Sequence, residues 1–172
     1  MTLDSMGQTF NSNDLADKII NAFQTKSFEK YNKLMLDSTA YKEFLDDFLE
    51  NNRVPDEQRK QFAEREKMFA DSAALQFQKD FDRLLNKGIK LGVNWAHIRK
   101  AKFIFNEDTP QNSRKKTLHG HLNFTYKDTT YVIFGIEAMQ LSSGYKILSI
   151  RTILKGGIEQ YVGPDLLDDE DI

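Results

Sequence analysis

Between Thr117 and Gln140 the chain reads TLHGHLNFTYKDTTYVIFGIEAMQ, two runs rich in β-branched and aromatic residues around a short polar break. In the first run Leu118, Leu122, Phe124 and Tyr126 fall on one side of an alternating strand, with His119, His121, Asn123 and Thr125 on the other. The second run is apolar on both sides: Val132, Phe134, Ile136 and Ala138 against Tyr131, Ile133, Gly135 and Met139, which marks a central strand. Working outward, Trp95–Asn106 and Tyr145–Leu154 read as flanking strands, so four antiparallel strands are expected over Trp95–Leu154. The last is expected to set Tyr145, Ile147, Ser149, Arg151 and Ile153 on one face. Breaks fall at a polar loop containing Pro110, at Lys127-Asp128-Thr129 and at Ser142-Ser143-Gly144. Gly120 and Gly135 inside strands predict bends or bulges that curl the sheet.

Everything before Trp95 is patterned as helix. Leu15, Ile19, Ile20 and Phe23 follow helical spacing behind the cap candidates Ser12-Asn13-Asp14. Ser27 caps a second helix bearing Phe28, Tyr31, Leu34 and Met35. Ser38 or Thr39 caps a third, with Tyr41, Phe44, Leu45, Phe48 and Leu49 on one stripe. A long fourth helix runs from Pro55 to Lys87, its stripe made of Phe62, Phe69, Ala73, Phe77, Phe81 and Leu84. Asp71-Ser72 is a candidate interruption, Gly88 the expected stop, and Gly92 the passage into the sheet. The expected architecture is therefore one α+β domain over residues 12–158, with N-terminal helices packed on a curved four-stranded antiparallel meander. A disordered lead is expected over residues 1–11 and an acidic tail over 159–172.

Composition narrows the function. A chain of 172 residues with 13 Phe, 6 Tyr and one Trp can bury a core without staples. A formal charge of −2 argues against a general nucleic-acid binder. The absence of cysteine removes disulfides, thiolate chemistry and Cys-based zinc sites. No apolar run reaches the roughly 18 residues of a spanning helix. The first eight residues have neither a basic start nor an apolar centre, so they do not read as a signal peptide; a cytoplasmic chain and one with its leader removed both fit.

The order of elements resembles the NTF2-like (cystatin-like) α+β superfamily, a cone whose helices close over a concave sheet. Further likeness to bacterial secreted or lipid-anchored proteins of that architecture lies in Ala22-Phe23-Gln24-Thr25-Lys26-Ser27-Phe28-Glu29-Lys30, Gly92-Val93-Asn94-Trp95 and Gly144-Tyr145-Lys146-Ile147-Leu148. The resemblance implies a periplasmic or cell-surface setting, with a cytoplasmic one as the alternative; the chain has no cysteine to carry a lipid. It implies a non-catalytic domain that binds a small molecule or a protein, a second copy of itself included, with no cofactor. The alternative is a pocket enzyme of hydratase or isomerase type, with Glu137 or a histidine as base.

Three sets of residues are candidates. His119 and His121, two apart on a strand, point the same way and can share a metal if a third ligand joins them; otherwise they are a solvated face. A three-residue loop after Tyr126 sets Glu137 across from His119, whereas a two-residue turn puts it on the opposite face. Arg151, with Tyr145, Ser149 and Glu137, forms the ligand-binding candidate if its face lines the concavity, and is a surface arginine if it does not. Arg99, Lys100, Lys102, Arg114, Lys115 and Lys116 gather basic charge that suits phosphate or anionic lipid, or simply guards an edge strand.

Overall fold

The computed structural model describes residues 12–99, 101–109 and 114–158. The expected lead, the acidic tail, Lys100 and Pro110 lie outside the described residues. Helices α1 (Ser12–Gln24), α2 (Phe28–Leu34), α3 (Ser38–Asn51) and α4 (Asp56–Lys90) precede strands β1 (Ala101–Asp108), β2 (Thr117–Tyr126), β3 (Thr129–Leu141), β4 (Gly144–Ser149) and β5 (Thr152–Lys155). The sheet runs β1-β2-β3-β4, with β5 also on β3 and all pairings antiparallel, so the chain is α+β with its helices at the N-terminal end. No helix among the described residues is long and apolar enough to cross a membrane.

Local chemistry sets the helix boundaries. Ser27 caps α2 by accepting from Lys30 N at 3.3 Å. Asp37, rather than Ser38 or Thr39, caps α3 by accepting from Ala40 N at 2.9 Å, a carboxylate at the positive end of the helix. Asp71-Ser72 does not interrupt α4, because Ser72 Oγ donates back to Met68 O at 2.7 Å within the turn. Gly88 is not the stop either. The helix continues to Lys90 and ends where Gly92 adopts φ +91°, with Val93 N donating to Gly88 O and Gly92 N to Ile89 O at 2.9 Å each. Gly88 lies inside the helix and is buried beneath the Trp95 indole.

The passage from helix to sheet also departs from expectation. Trp95 is in a single 3-10 turn, Trp95–His97, not in the first strand, which begins at Ala101. Its indole is 2% exposed, stacks on Phe23 at 4.6 Å, lies 5.6 Å from Phe124 and donates Nε1 to Leu85 O at 3.1 Å. Around it Phe23, Tyr31 and Phe81 from the helices meet Leu118, Leu122, Phe124, Ile133, Ile136, Ile147 and Ile153 from the sheet. Among the described residues this space between the layers is filled by aromatic and aliphatic side chains. Tyr31 is fully buried, its hydroxyl finds no hydrogen-bond partner, and burial pushes the phenol well above its ordinary range.

Register holds a compensation that alternation alone does not reveal. The β2–β3 turn has two residues, Lys127 and Asp128, both left-handed (φ 47° and 61°), and Tyr126 pairs with Thr129. By turn length alone Glu137 belongs on the face opposite His119. Yet His119 pairs with Glu137, because a bulge at Gly135 (φ +68°) inserts one residue into β3 between the pairs Gly120–Ile136 and Leu122–Ile133. The expected fourth strand is broken at Ile150-Arg151, and β4 is bulged at Leu148. Consequently Ile147, Ile150 and Ile153 all join the core while Ser149 and Arg151 are exposed. The expectation that Tyr145, Ile147, Ser149, Arg151 and Ile153 share a face fails for that reason. Arg83 of α4 spans the break, Nη1 donating to Arg151 O at 2.8 Å and Nη2 to Ile150 O at 3.3 Å.

Candidate functional site

The nominated histidines and carboxylate lie outside the packed layer between the helices and the sheet. His119 and Glu137 are each about half exposed, with Nδ1 3.9 Å from Oε1, and Ser149 Oγ reaches Glu137 Oε2 at 3.4 Å. His121, paired with Ile104 of β1, is partly exposed. The structure thus brings His119, Glu137 and Ser149 together on the outer face, but no group of three or more metal-ligating side chains suited to an ion forms among the described residues. Arg151 does not join them as a buried cation; its Cβ packs where a Gly135 side chain would be, and it is exposed. Tyr145 instead donates its hydroxyl to Glu107 Oε2 at 3.3 Å, and burial together with that carboxylate pushes its phenol up to about 12.

The basic cluster divides into two halves with different surroundings. In the loop, Lys115 is bonded to Glu43, Lys116 reaches Glu107 at 2.7 Å, and Arg114 N donates to Asp47 Oδ2 at 3.2 Å. Glu43 also accepts from Ser142 N and Oγ at 2.9 and 2.7 Å, joining α3 to the β1–β2 loop and the β3–β4 turn. Burial acts to raise the Glu43 carboxyl, but donation from Lys115 and Ser142 outweighs it and the group lies below the ordinary range. Nearby, Lys146 pairs with Asp37 at 3.0 Å, so the small cleft they line has its charges already matched.

The other half remains open. Asn94, His97, Arg99, Thr125, Tyr126, Lys127 and Asp128 line an open cleft of about 680 Å³ between the 3-10 turn and the tip of the β2–β3 hairpin. A second open cleft shares Arg99 and Thr125 with it and adds Lys102, Asp17 and Asn123, whose Oδ1 is buried and without a hydrogen bond. Among the described residues neither the Arg99 nor the Lys102 side chain has a hydrogen bond or ion pair, and Lys127 Nζ rests 5.4 Å above the Tyr126 ring. Both walls are anchored. Tyr131 OH donates to Leu91 O at 3.3 Å, Gln24 Nε2 donates to Ile98 O at 2.9 Å, and Asn94 Oδ1 accepts from Ala96 N at 3.2 Å.

Two features of this cleft escape alternation analysis. His97 and Asn94 enter it only because the chain forms a turn where a strand is expected. Lys127 enters it through the left-handed conformation that the two-residue hairpin turn requires. The available sequence signal was the run Arg99-Lys100-Ala101-Lys102, beside a hairpin tip that itself carries a lysine.

No protein-family model, no curated protein and no solved structure matches this chain. The site must therefore be interpreted from its own chemistry.

Proposed function

We propose that the chain is a non-catalytic binding domain of NTF2-like architecture that holds a small organic anion in the cleft between Arg99 and Lys127, beside the cone. The observation that carries this reading is the pair of cations Arg99 and Lys127 on one open cleft, with Lys102 on the adjoining cleft that shares Arg99, all without carboxylate partners among the described residues. The lysines of the adjacent loop, Lys115 and Lys116, are by contrast paired with Glu43 and Glu107. Asp128 in the first cleft and Asp17 in the adjoining one temper the charge, favouring a compact phosphate or carboxylate over a long polyanion. Tyr126 offers a flat apolar surface to the body of such a ligand, and a cleft of about 680 Å³ is of small-molecule size. An extracytoplasmic setting belongs to the same proposal and rests on the resemblance of the chain to secreted proteins.

Two charge-assisted contacts, from Arg99 and Lys127, of about 2 kcal/mol each correspond to a Kd on the order of 1 mM for a minimal anion. Phenyl phosphate is a suitable probe. Titrated into isotopically labelled protein, it is expected to shift the amide signals of residues 94–99 and 125–128 and leave those of His119 and Glu137 in place. Shifts confined to the outer face, or none up to 10-fold above that Kd, would remove the cleft as the site.

A further inference from the structure

Elsewhere on this surface, neighbouring opposite charges meet. Asp14 pairs with Lys18, Glu29 with Lys33 and Glu107 with Lys116, each at 2.7 Å. The cleft that adjoins the hairpin-tip cleft differs. Asp17 on the exposed side of α1, Arg99 ahead of β1 and Lys102 on β1 line one open concavity of about 640 Å³. Helix α1 packs against β1, so acid and bases approach the cleft from different elements. Among the described residues the Asp17 carboxylate has no ion pair or hydrogen bond, and neither cation has one through its side chain. Asn123, in register with Lys102 across the β1–β2 ladder, lines the same cleft, and its Oδ1 is buried with no donor. A buried acceptor in that state has lost water and gained nothing in exchange.

We propose that the ligand of this region is a small zwitterion. Its anion lies against Arg99, which lines both clefts, and its ammonium group lies in the adjoining cleft between Asp17 and Asn123. This assignment rests on the anion reading above and adds a second charge to it. An ammonium group has three N–H donors and no acceptor, which suits a carboxylate together with an amide oxygen. Turning the Asn123 amide over about its Cβ–Cγ bond presents that oxygen to the cleft and gives it a donor. A cleft of cations alone would repel an amine; here Asp17 offsets Lys102 and leaves the charge of Arg99 for the anion. Two cations and one carboxylate leave a single net positive charge. That complements an amine-bearing phosphate monoester, which carries about one net negative charge near neutral pH.

The test compares short ω-aminoalkyl phosphates with alkyl phosphates of equal chain length, each titrated into isotopically labelled protein. At the length that spans the cleft, the amine should bind about fivefold tighter. The side-chain amide signals of Asn123 should move with the amine and not with the alkyl phosphate. Asp17→Asn, a change on an exposed helix surface, should still bind the alkyl phosphate and should bring the two affinities together. An amine that binds no tighter at any length, an advantage that survives Asp17→Asn, or Asn123 signals indifferent to the amine would overturn the zwitterion and leave the anion site standing. Failure of both phosphates to bind would remove the anion reading itself, and the zwitterion with it. Phosphatidylethanolamine vesicles carry the same pair of charges as a diester; retention on them without binding of the free phosphates would make the source a membrane and overturn the small-molecule assignment.

Discussion

Gly88→Ala should destabilise the protein, although the same change inside a helix ordinarily stabilises it. Alanine at a helix-interior glycine contributes about 0.5–1 kcal/mol through reduced backbone freedom. Here the added Cβ would lie 2.2 Å from Trp95 Cζ2 and 2.7 Å from Cε2, against an ordinary contact of 3.4 Å or more. The indole must therefore retreat by more than 1 Å. It has little room, being held between Phe23 and Phe124 and bonded to Leu85 O. Overpacking of a tight core costs about 1–3 kcal/mol, and a loosened indole hydrogen bond about 1 kcal/mol. The net expectation is a loss of about 2 kcal/mol, or roughly 4–8 °C in Tm for a chain of this length. Urea unfolding followed by circular dichroism measures it, with fluorescence of the single tryptophan reporting the displaced indole. The decisive control is Trp95→Phe, which removes Cζ2 and Nε1. In that background Gly88→Ala should change sign and stabilise by about 0.5–1 kcal/mol. An equal cost in both backgrounds, or a stabilised single variant, would refute the packing argument.

Three further expectations follow from other sites. Gly135→Ala should cost at least about 2 kcal/mol, since it combines a left-handed backbone worth about 1–2 kcal/mol with a contact of 2.5 Å to Arg151 Cβ; a stability loss in urea unfolding of less than a quarter of that would count against the bulge. Tyr31→Phe removes a buried hydroxyl that has no partner, so it should be neutral or stabilising by up to about 1 kcal/mol; a clear loss in thermal denaturation would reveal a bond that the geometry lacks. The Glu43 and Asp37 carboxyls are held below their ordinary values of 4.5 and 3.8, so the unfolded chain binds their protons first on acidification. Their contribution is complete above about pH 5 and is lost as pH falls through the folded values. Urea midpoints between pH 7 and pH 3 should decline, and Glu43→Gln should flatten the slope; an unchanged slope would mean that the Lys115 and Ser142 contacts do not persist in solution.

The helices and the order of the strands were legible because each rests on a periodic signal. Leu15, Ile19 and Phe23 repeat at helical spacing, and Leu118, Leu122 and Phe124 mark the buried side of a strand. What sequence alone did not reveal depends on events of one residue. The bulge at Gly135 cancels the two-residue turn at Lys127-Asp128 and returns Glu137 to the face of His119. Gly135 was recognisable as a bend, but not its register effect, because register is fixed by pairing across strands rather than along one. The bulge at Leu148 and the break at Ile150-Arg151 likewise placed Ser149 and Arg151 outside, and the Arg83 guanidinium that spans the break sits on a helix whose sequence shows only a charged face. Trp95 misled in the same way. An aromatic residue next to a strand-like run suggests a strand, whereas its indole is in fact the plug over Gly88. As for the cleft, its charges were visible in Arg99 and Lys102, but not the division that leaves these open while Lys115 and Lys116 are paired.

One calorimetric comparison tests most directly whether Arg99 and Lys127, facing each other across the cleft, form an anion site. Phenyl phosphate should bind the protein at low salt with a Kd on the order of 1 mM, weaken several-fold as ionic strength rises, and lose about tenfold in affinity on Arg99→Gln. Equal heats for the protein and the Arg99→Gln variant, or binding indifferent to salt, would contradict it.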